Sequence, residues 1–150
     1  MEQLRKSYQT AAIVAAAVTA STVMYALVAE LVARAGFTPP LSSAAANVIK
    51  FAFYIAAASS YVTVRAADRV FGAKRPDPAS ALKALVTQAV VRAALCEMPA
   101  ILGLVLFLLT GLRADLYMLL SVAVALELWH FPRLSRWEER LRADFGQLPQ

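Results

Sequence analysis

The residue best placed to do chemistry in this chain is an acid inside an apolar run. Ala93 to Thr110 reads AALCEMPAILGLVLFLLT and carries one charged side chain, Glu97. With Ala81 to Arg92 ahead of it, the stretch becomes one long helix-compatible run with Glu97 near its middle. A carboxylate at such depth in a bilayer is costly, so it is partnered, protonated or functional. Pro99 has no backbone N–H, and the carbonyl of Leu95, four residues earlier, therefore loses its helical partner. A freed carbonyl can accept a hydrogen bond from a protonated acid, or help to hold a small cation or a water. Desolvation favours the neutral, proton-carrying form of the acid. Two readings stand side by side: a reversible site for H⁺ or Na⁺ at Glu97, and a structural acid hydrogen-bonded to a neighbouring helix. Cys96, in the same apolar setting, reads as an inert packing residue.

The other intramembrane charges can be matched in pairs. Arg92 lies five positions before Glu97, about 7 Å along a helix and well off its face. Glu127, in the last apolar run, is expected at the depth of Arg92 and is predicted to pair with it. On the opposite side, Glu30 can meet Arg34 one turn later or Lys50 at the start of the next run. These groups read as structural pins or snorkelling side chains. His130 stands between Trp129 and Phe131, which suits an interfacial anchor better than a ligand or proton relay. With one cysteine and one histidine, no intrachain disulfide or multi-histidine metal site can form. No nucleophile stands near a base and no glycine-rich loop is present to cradle phosphate, so an enzyme is not expected. No cofactor is implied beyond a possible H⁺ or Na⁺ at Glu97.

The elements that must position these residues are membrane spans. At 60% hydrophobic and 17% charged, the chain is far more apolar than a soluble domain with about 25% charged residues. An all-α polytopic membrane protein is predicted, with four transmembrane helices at about 8–33, 44–66, 81–111 and 116–131. Residues 1–132 form the bundle and 133–150 a cytoplasmic amphipathic tail. The first run is too long for a secretory h-region of about 7–15 residues. Two small-residue stripes, Ala12-Ala16-Ala20 and Ala52-Ala56-Ser60, are predicted to pack the first two helices together. GFTPPLSS (36–43) reads as a loop, and Lys74-Arg75-Pro76-Asp77-Pro78 as a turn from which Pro78 restarts a helix. Twelve of the fifteen Lys and Arg residues fall on the side of the termini and central loop; Arg34, Lys50 and Arg113 make up the other side. The positive-inside rule then makes both termini cytoplasmic, in what is expected to be a bacterial inner membrane. The basic residues lie between apolar runs, which points to anionic lipid headgroups and not to nucleic acid. In the tail, Ser135 and Glu138 have capping-box spacing and Gly146 is a plausible stop. Trp137, Leu141 and Phe145 recur every four residues, which predicts an amphipathic helix over about 136–145 lying on the membrane surface, with a docking helix for a partner as the alternative.

From Phe71 to Gly111 the chain resembles the rotor-ring c subunit of rotary ATP synthases. The resemblance rests on Arg75, Pro76 and Asp77 in the loop, on Gln88, and on the run from Ala94-Leu95-Cys96-Glu97 to Gly103-Leu104-Val105. It implies that Glu97 binds H⁺ or Na⁺ in a translocating assembly, with other membrane subunits or further copies of the chain as partners. The family's incoming helix carries a repeated glycine motif, whereas Lys50 to Val70 contains no glycine. A non-transporting structural or assembly subunit is the alternative.

Overall fold

The computed structural model describes residues 2–71 and 75–146, apart from the side chains at 43 and 44. Lys74 of the basic loop and tail residues 147–150 lie outside the described residues. The chain forms five helices: α1 (Glu2–Arg34), α2 (Ser43–Phe71), α3 (Pro78–Thr110), α4 (Arg113–His130) and α5 (Leu134–Phe145). Among the described residues there is no strand. Helices α1, α2 and α3 are each long and apolar enough to cross a membrane, and α4 and α5 are so together, across a bend of 46°. Their outer faces expose large apolar side chains, including Ile13, Met24, Phe51, Ile55 and Val62. Such a surface is that of a membrane protein, since only lipid makes it inexpensive.

Local signals set the helix ends. Asp77 Oδ1 accepts the Ser80 N–H at 2.8 Å and Pro78 occupies the first helical position of α3, where its missing N–H costs nothing. Gly111 (φ 73°) ends α3 and Gly146 (φ 69°) ends α5, each donating its N–H back to the last turn. Both positions need the left-handed backbone that glycine adopts without strain. Helix α5 starts at Leu134 with Arg133 at the cap position and no side chain bonded to its first turn. Ser135 is already inside the helix, so the predicted capping box is not formed.

Helix α3 is the centre of the bundle. It packs against α1, α2, α4 and α5, and α1 also touches α4. The predicted pairing of α1 with α2 is not made. Ala16, Ala20, Ala52 and Ala56 are exposed, while Ala11, Ala15, Thr22 and Ala29 on α1, and Ala57, Ser60 and Val64 on α2, are buried. The connection between the two helices explains this. Leu41 N–H donates to the carbonyl of Leu109 at 3.2 Å, and the Phe37 ring packs on Phe107 at 6.1 Å. The link thus crosses the end of α3 and delivers α2 to α3 instead of to α1. Helices α3 and α4 come close at Gly103, where an added Cβ would stand 3.0 Å from Leu119 Cβ and 3.3 Å from the carbonyl oxygen of Leu116.

The tail is also corrected. Trp137 and Leu141 are buried against Leu4 and Ala11 of α1 and Leu82 and Leu85 of α3, with Phe145 partly buried beside them. Tyr8 meets Trp137 edge-on at 5.9 Å. These side chains are therefore not anchors in the bilayer surface. The physical reason is length: a 33-residue helix such as α1 or α3 extends about 50 Å and the 18-residue α4 about 27 Å, so the ends of α1 and α3 beyond α4 leave an apolar surface that α5 covers. Trp129 is 75% exposed, with His130 partly exposed beside it.

Two predictions follow from these contacts. Gly103→Leu overpacks the α3–α4 seam and is expected to lower stability by about 1–3 kcal/mol, with Gly103→Ala intermediate; thermal unfolding in detergent measures it, and wild-type stability of the leucine variant would refute the close approach. The Asp77 carboxyl, which lies outside the apolar runs, is held below the usual carboxylate range by the Ser80 backbone N–H, then by the Ser80 side chain. A depressed folded-state pKa gives a contribution present above the unfolded value and lost as pH falls through the folded one. The protection factor of the Ser80 amide in hydrogen exchange should accordingly drop on acidification, and Asp77→Asn, which still caps, should remove that pH dependence.

Candidate functional site in the bundle interior

Two carboxyl groups face α1 from different helices. Ser21 and Tyr25 of α1 both bond to Glu97 Oε1, Tyr25 OH at 2.7 Å. One residue along α1, Thr22 Oγ1 lies 2.9 Å from Glu127 Oε1. Neighbouring partners on α1 place the two acids within about one helical turn, 5.4 Å, of the same depth. Among the described residues no Lys or Arg lies within ion-pair distance of either. Glu127 is only 5% exposed, and its Oε2 has no hydrogen-bond partner. Beside it lies a cavity of about 10 Å³ lined by Thr19, Cys96, Glu127, His130 and the Phe131–Pro132 elbow, which is room for roughly one water. His130 Nδ1 is 2.9 Å from the carbonyl of Leu126. If Nδ1 donates there, the other ring nitrogen of the neutral imidazole is an acceptor.

The predicted pair of Arg92 and Glu127 is not formed. Arg92 bonds to Asp68 of α2, with Nε at 2.9 Å and Nη2 making the second contact of a fork. Gln88 joins it, its Nε2 donating to Asp68 at 3.1 Å while its Oε1 accepts from Arg140 of α5 at 3.3 Å. The sequence ends the second apolar run near Val64, whereas α2 continues to Phe71 and so carries Asp68 to the side of α3. Glu127 turns to α1, at the depth of Glu97 and not of Arg92.

The remaining expectations divide in the same way. Lys50 pairs with Asp115 of α4 at 2.7 Å, and Tyr54 donates to the same Asp115 oxygen, also at 2.7 Å. Glu30 accepts from Tyr117 at 2.6 Å and lies 4.0 Å from Arg113; neither Lys50 nor Arg34 is its partner. Pro99 is buried inside an unbroken α3. The Leu95 carbonyl it frees makes no bond to Glu97 among the described residues, because a helical carbonyl points along the axis toward position 99 and not out to the Glu97 side chain. The unforeseen members of the site are the α1 hydroxyls. Their spacing was a usable signal: Ser21 and Tyr25 are four apart, Thr22 and Tyr25 three apart, which sets all three on one sector of a helix.

Among the described residues, no group of three or more His, Cys, Asp or Glu side chains is placed to hold a metal ion. The chain matches no family model, no curated protein and no solved structure.

A double-mutant cycle separates the observed from the expected pairing. Arg92→Leu with Asp68→Asn should show a coupling of about 1–3 kcal/mol in thermal unfolding. Arg92→Leu with Glu127→Gln should be additive, and coupling in that second cycle alone would overturn the arrangement described.

Proposed function

We propose that the chain is a small integral membrane protein with four spans, α1 to α4, and that Glu97 and Glu127 form a proton-binding pair serving proton translocation within a larger membrane assembly. Helix α5 lies outside the bilayer on the ends of α1 and α3, a reading supported by its arginines and by the protein contacts of Trp137 and Leu141. The distribution of Lys and Arg supports placing both termini and α5 on the cytoplasmic side. The resemblance to the rotor-ring c subunit lends Glu97 the same role, here with α1 of the same chain covering the acid.

A count of hydrogens carries this reading. Ser21 Oγ is 2.6 Å from the Val18 carbonyl oxygen and also bonds Glu97 Oε1. Its hydroxyl has one hydrogen to give. A carbonyl and an ionised carboxylate are both acceptors only, so one of the two contacts lacks a proton unless Glu97 carries it. A protonated Glu97 donating to Ser21, with Ser21 donating to Val18 and Tyr25 to Glu97, places every hydrogen. Thr22 stands in the same relation to the Val18 carbonyl, at 3.4 Å, and to Glu127. The water-sized cavity at Glu127 opens the site toward the α4–α5 elbow and supports exchange from that end.

A second reading is a non-transporting assembly subunit in which polar groups pin helices together. It is favoured by the cross-helix ion pairs Arg92–Asp68 and Lys50–Asp115, which link α3 and α4 to α2.

Carboxyl-directed carbodiimide, which needs a protonated acid, distinguishes the two. Modification of Glu97 or Glu127 should slow as pH rises, be indifferent to Na⁺, and leave only the other acid labelled in Glu97→Gln or Glu127→Gln. Protection by Na⁺ would make the ion sodium. No labelling, with wild-type proton uptake of the native assembly in Glu97→Gln, would leave only the pinning role.

A further inference from the structure

At the end of the bundle that carries both termini, the α4–α5 elbow encloses a second, more polar pocket of about 170 Å³. Four arginines line it, Arg92 from α3, Arg133 at the cap position before α5, and Arg136 and Arg140 from α5, together with Gln88 and Pro132, and no carboxylate is among its lining residues. Two of the four are held in place: Arg92 by Asp68, and Arg140 by the Gln88 oxygen. Arg133 and Arg136 are exposed. The first turn of α5 forms part of the same wall, and no side chain caps it. Its unbonded backbone N–H groups and the positive end of its dipole therefore add to the guanidinium charge.

We propose that this pocket binds a phosphate group, presented by an anionic phospholipid headgroup. Planar guanidinium forks bond two phosphate oxygens at once, which suits arginine to such sites. The volume is below the roughly 300–1,000 Å³ of pockets for drug-sized ligands, and suits a phosphodiester whose acyl chains remain outside. The membrane is the source that position favours. The elbow follows directly on Trp129, whose exposed ring suits the headgroup level, and the pocket lies where the overhanging ends of α1 and α3 leave the apolar layer. The site is independent of the proton-binding reading.

The test uses the full chain in neutral detergent, titrated with short-chain phosphatidylglycerol or phosphatidylcholine and read by native mass spectrometry and thermal shift. Phosphatidylglycerol should bind at least about tenfold more tightly than phosphatidylcholine. Arg133→Gln/Arg136→Gln should lose that preference while its unliganded melting temperature stays near wild type. Arg5→Gln/Lys6→Gln removes the same charge from residues that do not line the pocket, and Glu97→Gln alters the interior acid; both should bind as wild type. Equal loss in the Arg5/Lys6 variant would reduce the effect to net charge and overturn the pocket, as would undiminished preference in the Arg133/Arg136 variant. Stabilisation by inorganic phosphate alone, abolished in the Arg133/Arg136 variant, would keep the phosphate site and overturn lipid as its source.

Discussion

Helix α3 packs against all four other helices, and the polar side chains on its covered faces have to be met by the element that lies there. Lys83 and Thr87, on its exposed face, are met by none among the described residues. Glu97 is met by α1, Arg92 by α2 and Gln88 by both α2 and α5. Where no polar side chain is present, as at Gly103, α4 can come close enough that its Leu119 fills the space a side chain would take. The positions of the other four helices are thus settled by the sequence of faces α3 presents. Lipid supplies no hydrogen bonds and little hydrophobic drive between helices, so these specific contacts and close packing carry the arrangement.

What could be read in advance follows a division between local and distant causes. The apolar runs, the Pro78 start of α3 and the glycine stop at 146 depend on a few neighbouring residues, and they were legible. The partner of Arg92 was not, because it depends on how far α2 continues. Arg65 to Phe71 is polar enough to look like loop, yet it is the last part of a long helix, and Asp68 is useful only if that part is helical. The α1 hydroxyls were obscure for a different reason. A Ser or Thr in an apolar helix can satisfy itself on a carbonyl one turn back, as Thr19 does on Ala15 at 3.1 Å, so its type alone carries no sign of a partner. The amphipathic pattern of α5 was clear, but periodicity says that a face is buried and not whether lipid or protein buries it.

The bundle is stitched with two kinds of bond, and their difference bears on what protons can change. Helix α2 is held at both ends by pairs of opposite charge, Lys50–Asp115 and Arg92–Asp68. In the middle of the bundle α1 is held by neutral hydroxyls on two carboxyl groups with no cation beside them. A hydroxyl can give its hydrogen to an ionised acid or take one from a protonated acid, so these bonds exist in both states with their direction reversed.

Reversal is not free of consequence. When Glu97 is protonated, the Ser21 hydrogen can turn to the Val18 carbonyl; when it is ionised, that hydrogen is needed at the carboxylate and the carbonyl is left with its helical bond alone. The Val18 carbonyl is shared, since Thr22 reaches it as well as Glu127. A change of protonation at one acid therefore alters the demand on a carbonyl that also serves the other. The two acids also repel each other when both are charged, at low dielectric and with no cation between them. The two carboxyl groups thus meet on one turn of α1, while the ion pairs that fix α2 stand apart from it. That turn is on the side of the bundle that α5 and the α4–α5 elbow close.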